Sequence, residues 1–168
     1  ADAGQTKMQL KENNLTLLLN DMLDDIEILA MEKNISIDSE IEDNIIFLFD
    51  ELRISQALLN ILDNALKYNV DNGKITITLK DRKNYIELTV KDTGIGMSND
   101  ELSNIFDRFY RVDKARSNEI KGTGLGLSIV RWIIESHKGK IFVESQQNKG
   151  TNFMVMLPKD GKNLDSDN

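Results

Sequence analysis

Asn60 and Asn64, four residues apart in the largely apolar segment LLNILDNALKYN (58–69), are the first residues here that could do chemistry. Amides are costly to bury without partners. An amide carbonyl is also a hard oxygen donor suited to magnesium, which takes few protein ligands and keeps waters and phosphate oxygens. On a helix, Asn60, Asn64, Lys67 and Tyr68 form one stripe beside the apolar one. Lys67 could bring positive charge to phosphate. Taken alone, the stripe equally fits asparagines that cap backbone and a lysine in solvent.

Asp92 opens the second segment, DTGIGM (92–97), at the end of an alternating run. A carboxylate there can accept a hydrogen bond from an exocyclic amine such as that of adenine. The glycines let backbone approach a flat ring and adopt positive φ, although a plain Asp-x-Gly turn after a strand is also common. The third segment, GTGLGLSIV (122–130), places Gly122, Gly124 and Gly126 before and into a helix. Free N–H groups and a positive helix end can meet phosphate there. It is not a Walker loop, because no Gly-Lys-Ser/Thr follows. Nor is it a dinucleotide fingerprint, because position 127 is Leu and a polar loop precedes it. Each segment is weak alone. Their order within about seventy residues points to a pocket for ATP.

Composition agrees with such a pocket on one domain. The 168 residues suffice for a proper core, and 40% hydrophobic with 29% charged is ordinary for a globular protein. A net charge of −7 speaks against a general nucleic-acid binder. The charge is uneven: 21–53 hold eleven acids against two bases, while 108–121 hold five bases (Arg108, Arg111, Lys114, Arg116, Lys121) against two acids. A local basic cluster on an acidic chain suits an anionic ligand held at one place. With no cysteine there are no disulfides or thiolate metal sites, and the single His137 excludes a multi-histidine site. No apolar run reaches the roughly 18 residues that span a bilayer and no signal peptide is visible, so the reading is a cytoplasmic piece without direct membrane contact.

Periodicity gives the elements that must position these residues. Apolar residues from Leu15 to Ala30 recur at helical spacing, predicting a helix over roughly 10–33. ISIDSEI and IIFLFD read as short strands flanking a polar turn at Glu42–Asn44. A helix over about 51–69 turns Ile54, Leu58, Ile61, Leu62 and Ala65 to a core. KITITLK and YIELTVK alternate as a hairpin. Ser98 and Glu101 form a capping box for a short helix up to about Asp107. After the charged segment 108–123, a helix runs over Leu125–His137. KIFVES and TNFMVML make a last hairpin, and the sole proline, Pro158, ends the ordered part. The expected fold is an α/β (α+β) two-layer sandwich: a mixed, mostly antiparallel sheet of about five or more strands, covered on one face by about three helices. Residues 1–12 read as a flexible end or cloning remnant, 13–158 as the ATP-binding domain, and 159–168 as a disordered tail.

The chain resembles the catalytic ATP-binding domain of bacterial sensor histidine kinases, within the wider Bergerat-type group shared with gyrase, Hsp90 and MutL. The resemblance covers about 13–158. LLNILDNALKYN is similar to the N box, DTGIGM to the G1 box, IFDRFYRVDKAR (105–116) to the F box and GTGLGLSIV to the G2 box. It implies that Asn64 binds magnesium, with Asn60 supporting metal and phosphates. Lys67 and Tyr68 would contact phosphate and nucleoside. Asp92 would read the adenine amine, with Gly94, Ile95 and Gly96 shaping that wall. Residues 108–123 would form a lid, with Arg108, Arg116 and Lys121 toward phosphate. Gly122, Thr123, Gly124, Leu125, Gly126 and Leu127 would make the phosphate-side hinge. Phe106 and Phe109 fit anchors of the lid or of partner helices, and plain core residues equally. The roles assigned to catalysis are those of Asn60, Lys67, Arg108 and Arg116.

Hydrolysing members of that group carry a glutamate four residues before the metal-binding asparagine. Here Asn60 stands there, and a carboxamide is no general base. Transfer to another group needs mainly positioning and charge neutralisation, so kinase chemistry is favoured over a gyrase, Hsp90 or MutL type of hydrolysis. An anti-sigma or serine-kinase relative is a further alternative. The His-Glu-x-x-x-Pro acceptor pattern is absent. His137 matches the structural His-Gly-Gly turn with Lys138 in place of the first glycine. The resemblance therefore implies a C-terminal piece of a larger, homodimeric, membrane-anchored sensor. The isolated piece would be monomeric and unable to phosphorylate itself. Its partners would be ATP, a phospho-accepting histidine hairpin domain of the same parent, and a response regulator downstream.

Overall fold

The computed structural model describes residues 7–107 and 126–160. The chain order is β1 (Lys11–Asn14), α1 (Leu15–Glu32), β2 (Ser36–Ile41), β3 (Ile46–Phe49), α2 (Glu51–Lys67), β4 (Lys74–Asp81), β5 (Tyr85–Asp92), α3 (Asn99–Leu102), α4 (Gly126–Ser136), β6 (Lys140–Gln146) and β7 (Gly150–Pro158). Five strands form one mixed sheet in the order β2-β4-β5-β7-β6, parallel only between β2 and β4. That parallel pair is joined through β3 and α2, the long crossover that parallel strands require.

Alternation decides which face of the sheet is covered. Ile75, Ile77 and Leu79 of β4, Ile86, Leu88 and Val90 of β5, and Phe153, Val155 and Leu157 of β7 are all buried. Their neighbours on the other face, such as Thr78 and Thr89 with their paired hydroxyls, are only half-buried. Onto the apolar face pack α1 (Leu15, Leu19, Leu23, Ile26), α2 (Ile54, Leu58, Ile61, Leu62) and α4 (Val130, Ile133, Ile134), one contiguous core. The expected two-layer sandwich is the observed one.

Two boundaries differ from the sequence expectation. The first helix begins at Leu15, not near 10, because Lys11–Asn14 pair antiparallel with β3 as a separate two-stranded ribbon. No apolar helical period precedes Leu15, and the Asn14 side chain caps the helix by accepting from the Leu17 N–H at 3.1 Å. The two strands flanking Glu42–Asn44 therefore do not pair with each other: β2 joins the main sheet, and β3 joins the ribbon. Thr16 ties this corner, donating to the Glu42 carbonyl at 2.6 Å and accepting from the Ile45 N–H at 3.1 Å. The short helix after Ser98 has the predicted capping box but stops at Leu102, after which the chain continues in turns. Among the described residues, no helix is long and apolar enough to cross a membrane.

Candidate functional site

Asp92 is the last residue of β5 and is only 6% exposed. A carboxylate this deep needs donors. It finds two backbone N–H groups, of Gly94 at 2.8 Å and of Thr151 at 3.2 Å, and both reach the same oxygen, Oδ1. Burial pushes the carboxyl up to about 6, and these two donors act against that rise. At neutral pH it is therefore mostly ionised, and Oδ2 is the oxygen left by the two donors.

The glycine turn after Asp92 is wedged between two other elements. The Ile95 N–H donates to the Tyr68 carbonyl at 2.9 Å, tying the turn to the end of α2. A Cβ on Gly94 would stand 2.2 Å from that same carbonyl, so any side chain there forces the two segments apart. Gly96 has φ +68°, and a Cβ on it would fall 1.9 Å from the Gln146 carbonyl of β6. On the far side, the Asn148 N–H donates to the Ile95 carbonyl at 2.7 Å. Helix α2, the turn after β5 and the β6–β7 hairpin are thus held as one wall.

A small cavity of about 40 Å³ opens along this wall. Of the predicted site residues, Asn64, Tyr68, Asp92, Ile95, Gly96 and Leu127 line it, and Gly94 lies buried beside Asp92. Three stand apart from the lining: Lys67, Asn60 and Gly126, the first residue of α4. The Lys67 ammonium lies 2.8 Å from Asp63 on its own helix. Asn60 faces the start of α4, its Cγ 3.9 Å from where a Cβ on Gly126 would sit. Arg108, Phe109, Arg116, Lys121, Gly122, Thr123, Gly124 and Leu125 lie outside the described residues. Phe106 packs against the core, with the Arg131 guanidinium 5.6 Å from its ring centre.

Three lining residues went unassigned on sequence grounds: Met97, Thr151 and Phe153. Phe153 is on the buried face of β7, and no spacing rule links Thr151 to Asp92, since the contact spans 59 positions. Gly150 belongs with them. Its φ is +121°, and a Cβ on it would lie 1.9 Å from the Asp92 carbonyl.

His137 serves the frame rather than the cavity. Its Nε2 accepts the Asp50 N–H at 3.0 Å, which requires the tautomer whose Nδ1–H donates to the Ile133 carbonyl, at 2.8 Å. Burial holds the ring neutral by lowering its proton affinity. Asp50 in turn caps α2 by accepting the Arg53 N–H at 3.0 Å. Lys138 comes next at φ +63°, the left-handed position for which glycine is suited.

Chemically, the cavity is lined by a carboxylate acceptor, Asp92, and by the Asn64 amide. Among the described residues, no group of three or more His, Cys, Asp or Glu could hold a metal ion. A cation here would need most of its ligands from a bound molecule and water.

The family model described as Histidine kinase-, DNA gyrase B-, and HSP90-like ATPase matches residues 49–161. Sensor protein SrrB of Staphylococcus aureus (strain MRSA252) is 44% identical over 114 residues, 68% of this chain and 20% of SrrB. The chain thus spans about a fifth of that relative's length. The nucleotide-free catalytic domain of histidine kinase ThkA superposes with a TM-score of 0.80 at 33% identity, covering 92% of this chain and 98% of that domain. Full-length ShkA in complex with AMPPNP gives 0.78 at 26% identity, over 95% of this chain and 33% of ShkA. With near-complete mutual coverage of a kinase catalytic domain, the chain belongs to the histidine kinase-, DNA gyrase B- and HSP90-like ATPase family, as a sensor histidine kinase catalytic domain.

Proposed function

We propose that this domain binds ATP with magnesium and delivers the γ-phosphate to a histidine on a separate helical hairpin domain. The observation that carries the reading is the shared cavity of Asp92 and Asn64, a buried acceptor and a hard oxygen donor on one wall. Asp92 accepts from the adenine amine through Oδ2, because Oδ1 already holds two backbone donors. Asn64 fits magnesium through one amide oxygen, with phosphate oxygens and waters completing the shell. When bound, the ion neutralises phosphate charge. Tyr68, Ile95 and Leu127 enclose the nucleoside. Asn60 and Lys67 sit one helical turn from Asn64 on either side, on the phosphate side, and Gly126 opens α4 against Asn60.

Position 60 decides between hydrolysis and transfer. An amide cannot take a proton from water, so nothing at this position serves as a base for hydrolysis. The fate left to the γ-phosphate is transfer to a nucleophile brought by another domain, for which positioning and charge suffice. That ShkA holds AMPPNP supports nucleotide binding here, and that ThkA is solved with the response regulator TrrA supports a response regulator downstream.

The test has two steps. Calorimetric titration of the chain with ATP and magnesium should show saturable binding. The chain mixed with labelled ATP and a histidine-bearing hairpin domain should then place acid-labile label on that histidine. Binding without transfer to any such domain, together with steady ATP hydrolysis by the chain alone, would sink the kinase reading.

A further inference from the structure

Ser145 of β6 lies behind the Asp92 wall and has no part in the proposed binding of ATP, yet its hydroxyl makes three contacts. The Met97 N–H donates to its Oγ at 2.8 Å, the Gly150 carbonyl lies at 3.0 Å and the Thr151 Oγ1 at 2.8 Å. A serine hydroxyl has one hydrogen and two lone pairs. The Met97 N–H can only donate and the Gly150 carbonyl can only accept. The assignment that satisfies all three contacts has Ser145 donating to Gly150 and accepting from Met97. Its second lone pair then takes the hydrogen of Thr151.

This assignment has a consequence for the cavity. Thr151 lines it and is 8% exposed. With its only hydrogen spent on Ser145, its hydroxyl presents lone pairs alone. Its backbone N–H is meanwhile spent on Asp92 Oδ1 at 3.2 Å. The Asp92 carboxylate is acceptor-only when ionised. Both polar side chains on this part of the wall therefore accept and neither donates. Such a wall matches a base that carries an amino group and opposes one with a carbonyl in its place. In a low-dielectric site an unmatched pair of acceptors is expensive.

We infer that Ser145 is a positioning residue for base selection: it clasps the glycine turn to the last hairpin and fixes the hydroxyl of Thr151 as an acceptor. The clasp joins segments 48 positions apart, through Met97, to the strand pair in which Ser145 stands directly opposite Thr151. Removing it leaves the turn attached through the Asn148 to Ile95 bond, but frees Thr151 to rotate its hydrogen into the cavity. The inference rests on the proposal that the cavity takes ATP.

The experiment compares ATP with inosine triphosphate, which has a carbonyl in place of the 6-amino group and a hydrogen on N1, by titration of the full chain with magnesium. Wild type should prefer ATP. Ser145→Ala should bind ATP about three- to tenfold more weakly, the size of one ordinary hydrogen bond. It should bind inosine triphosphate no more weakly than wild type, so that the preference shrinks. Ser145→Thr, which keeps the hydroxyl, should restore the preference. Should Ser145→Ala not fold by calorimetry, Ser145→Cys keeps the size with a weak hydrogen-bonding group and should also lose preference. A purely structural serine would weaken both nucleotides alike. Undiminished preference in the Ala or Cys variant overturns the inference. A wild type that binds neither nucleotide would instead overturn the ATP reading.

Discussion

Replacing Asp92 by asparagine should move nucleotide binding and stability in opposite directions. Both backbone donors meet Oδ1, so the asparagine carbonyl must take that place and its NH2 group must take that of Oδ2. A donor then faces the adenine amine, itself a donor. Losing a hydrogen bond to a charged acceptor costs about 1.5–3 kcal/mol, which weakens ATP binding roughly ten- to a hundredfold. Stability responds to the charge. Because burial raises the carboxyl from 3.8 to about 6, the folded chain holds this proton more tightly than the unfolded chain. The stabilisation is full below pH about 4 and is lost as pH rises through about 6, an order of about 3 kcal/mol by pH 8. Asparagine has no charge to bury and removes that loss, while its neutral carbonyl holds the two N–H groups less strongly. The net gain at pH 8 should be about 1–2 kcal/mol, or about 2–8 °C for a domain of this size. Scanning calorimetry between pH 5 and 8.5, with ATP titration at pH 7.5, measures both arms. A variant with a lower melting point at pH 8, or with wild-type ATP affinity, would refute the reasoning.

Neighbouring positions give further expectations. Asn64→Ala should weaken ATP binding at least tenfold in magnesium but change it little in a chelator, because the amide acts through the ion; equal losses in both titrations would contradict this. Gly96→Ala, which places a methyl against the Gln146 carbonyl at positive φ, should cost upwards of about 2 kcal/mol in denaturant unfolding. His137→Ala should cost about 2–4 kcal/mol by stranding the Asp50 N–H and leaving a cavity, and this shows as a lower midpoint in the same assay. Because burial lowers the affinity of His137 for a proton, its contribution is full at neutral pH and is lost as pH falls below about 6.5. Lys138→Gly should raise the melting point by the equivalent of about 0.5–1 kcal/mol, since it relieves a left-handed non-glycine residue.

What the sequence alone determined is whatever local chemistry controls. Helical and alternating periods mark the three long helices and most strands, because burial on one face imposes those periods wherever the face is continuous. Asn64, Asp92 and the glycines of the turn were legible because each sits at the end of such an element with a residue type the local geometry demands. The start of α1 was not, because Lys11–Asn14 carry no period and become a strand only through the ladder offered by β3. The tertiary structure alone decided what stands opposite Asp92. Thr151, Gly150 and Ser145 come from a hairpin more than 50 positions away, brought there by the antiparallel register of β5 with β7. It likewise put Gly94 against the Tyr68 carbonyl and His137 against the Asp50 N–H. These are packing contacts between surfaces that only meet once the sheet has formed, so no window of sequence contains them. The residue types that can serve the chemistry are local information, but the donors that set their charge and direction arrive from across the fold.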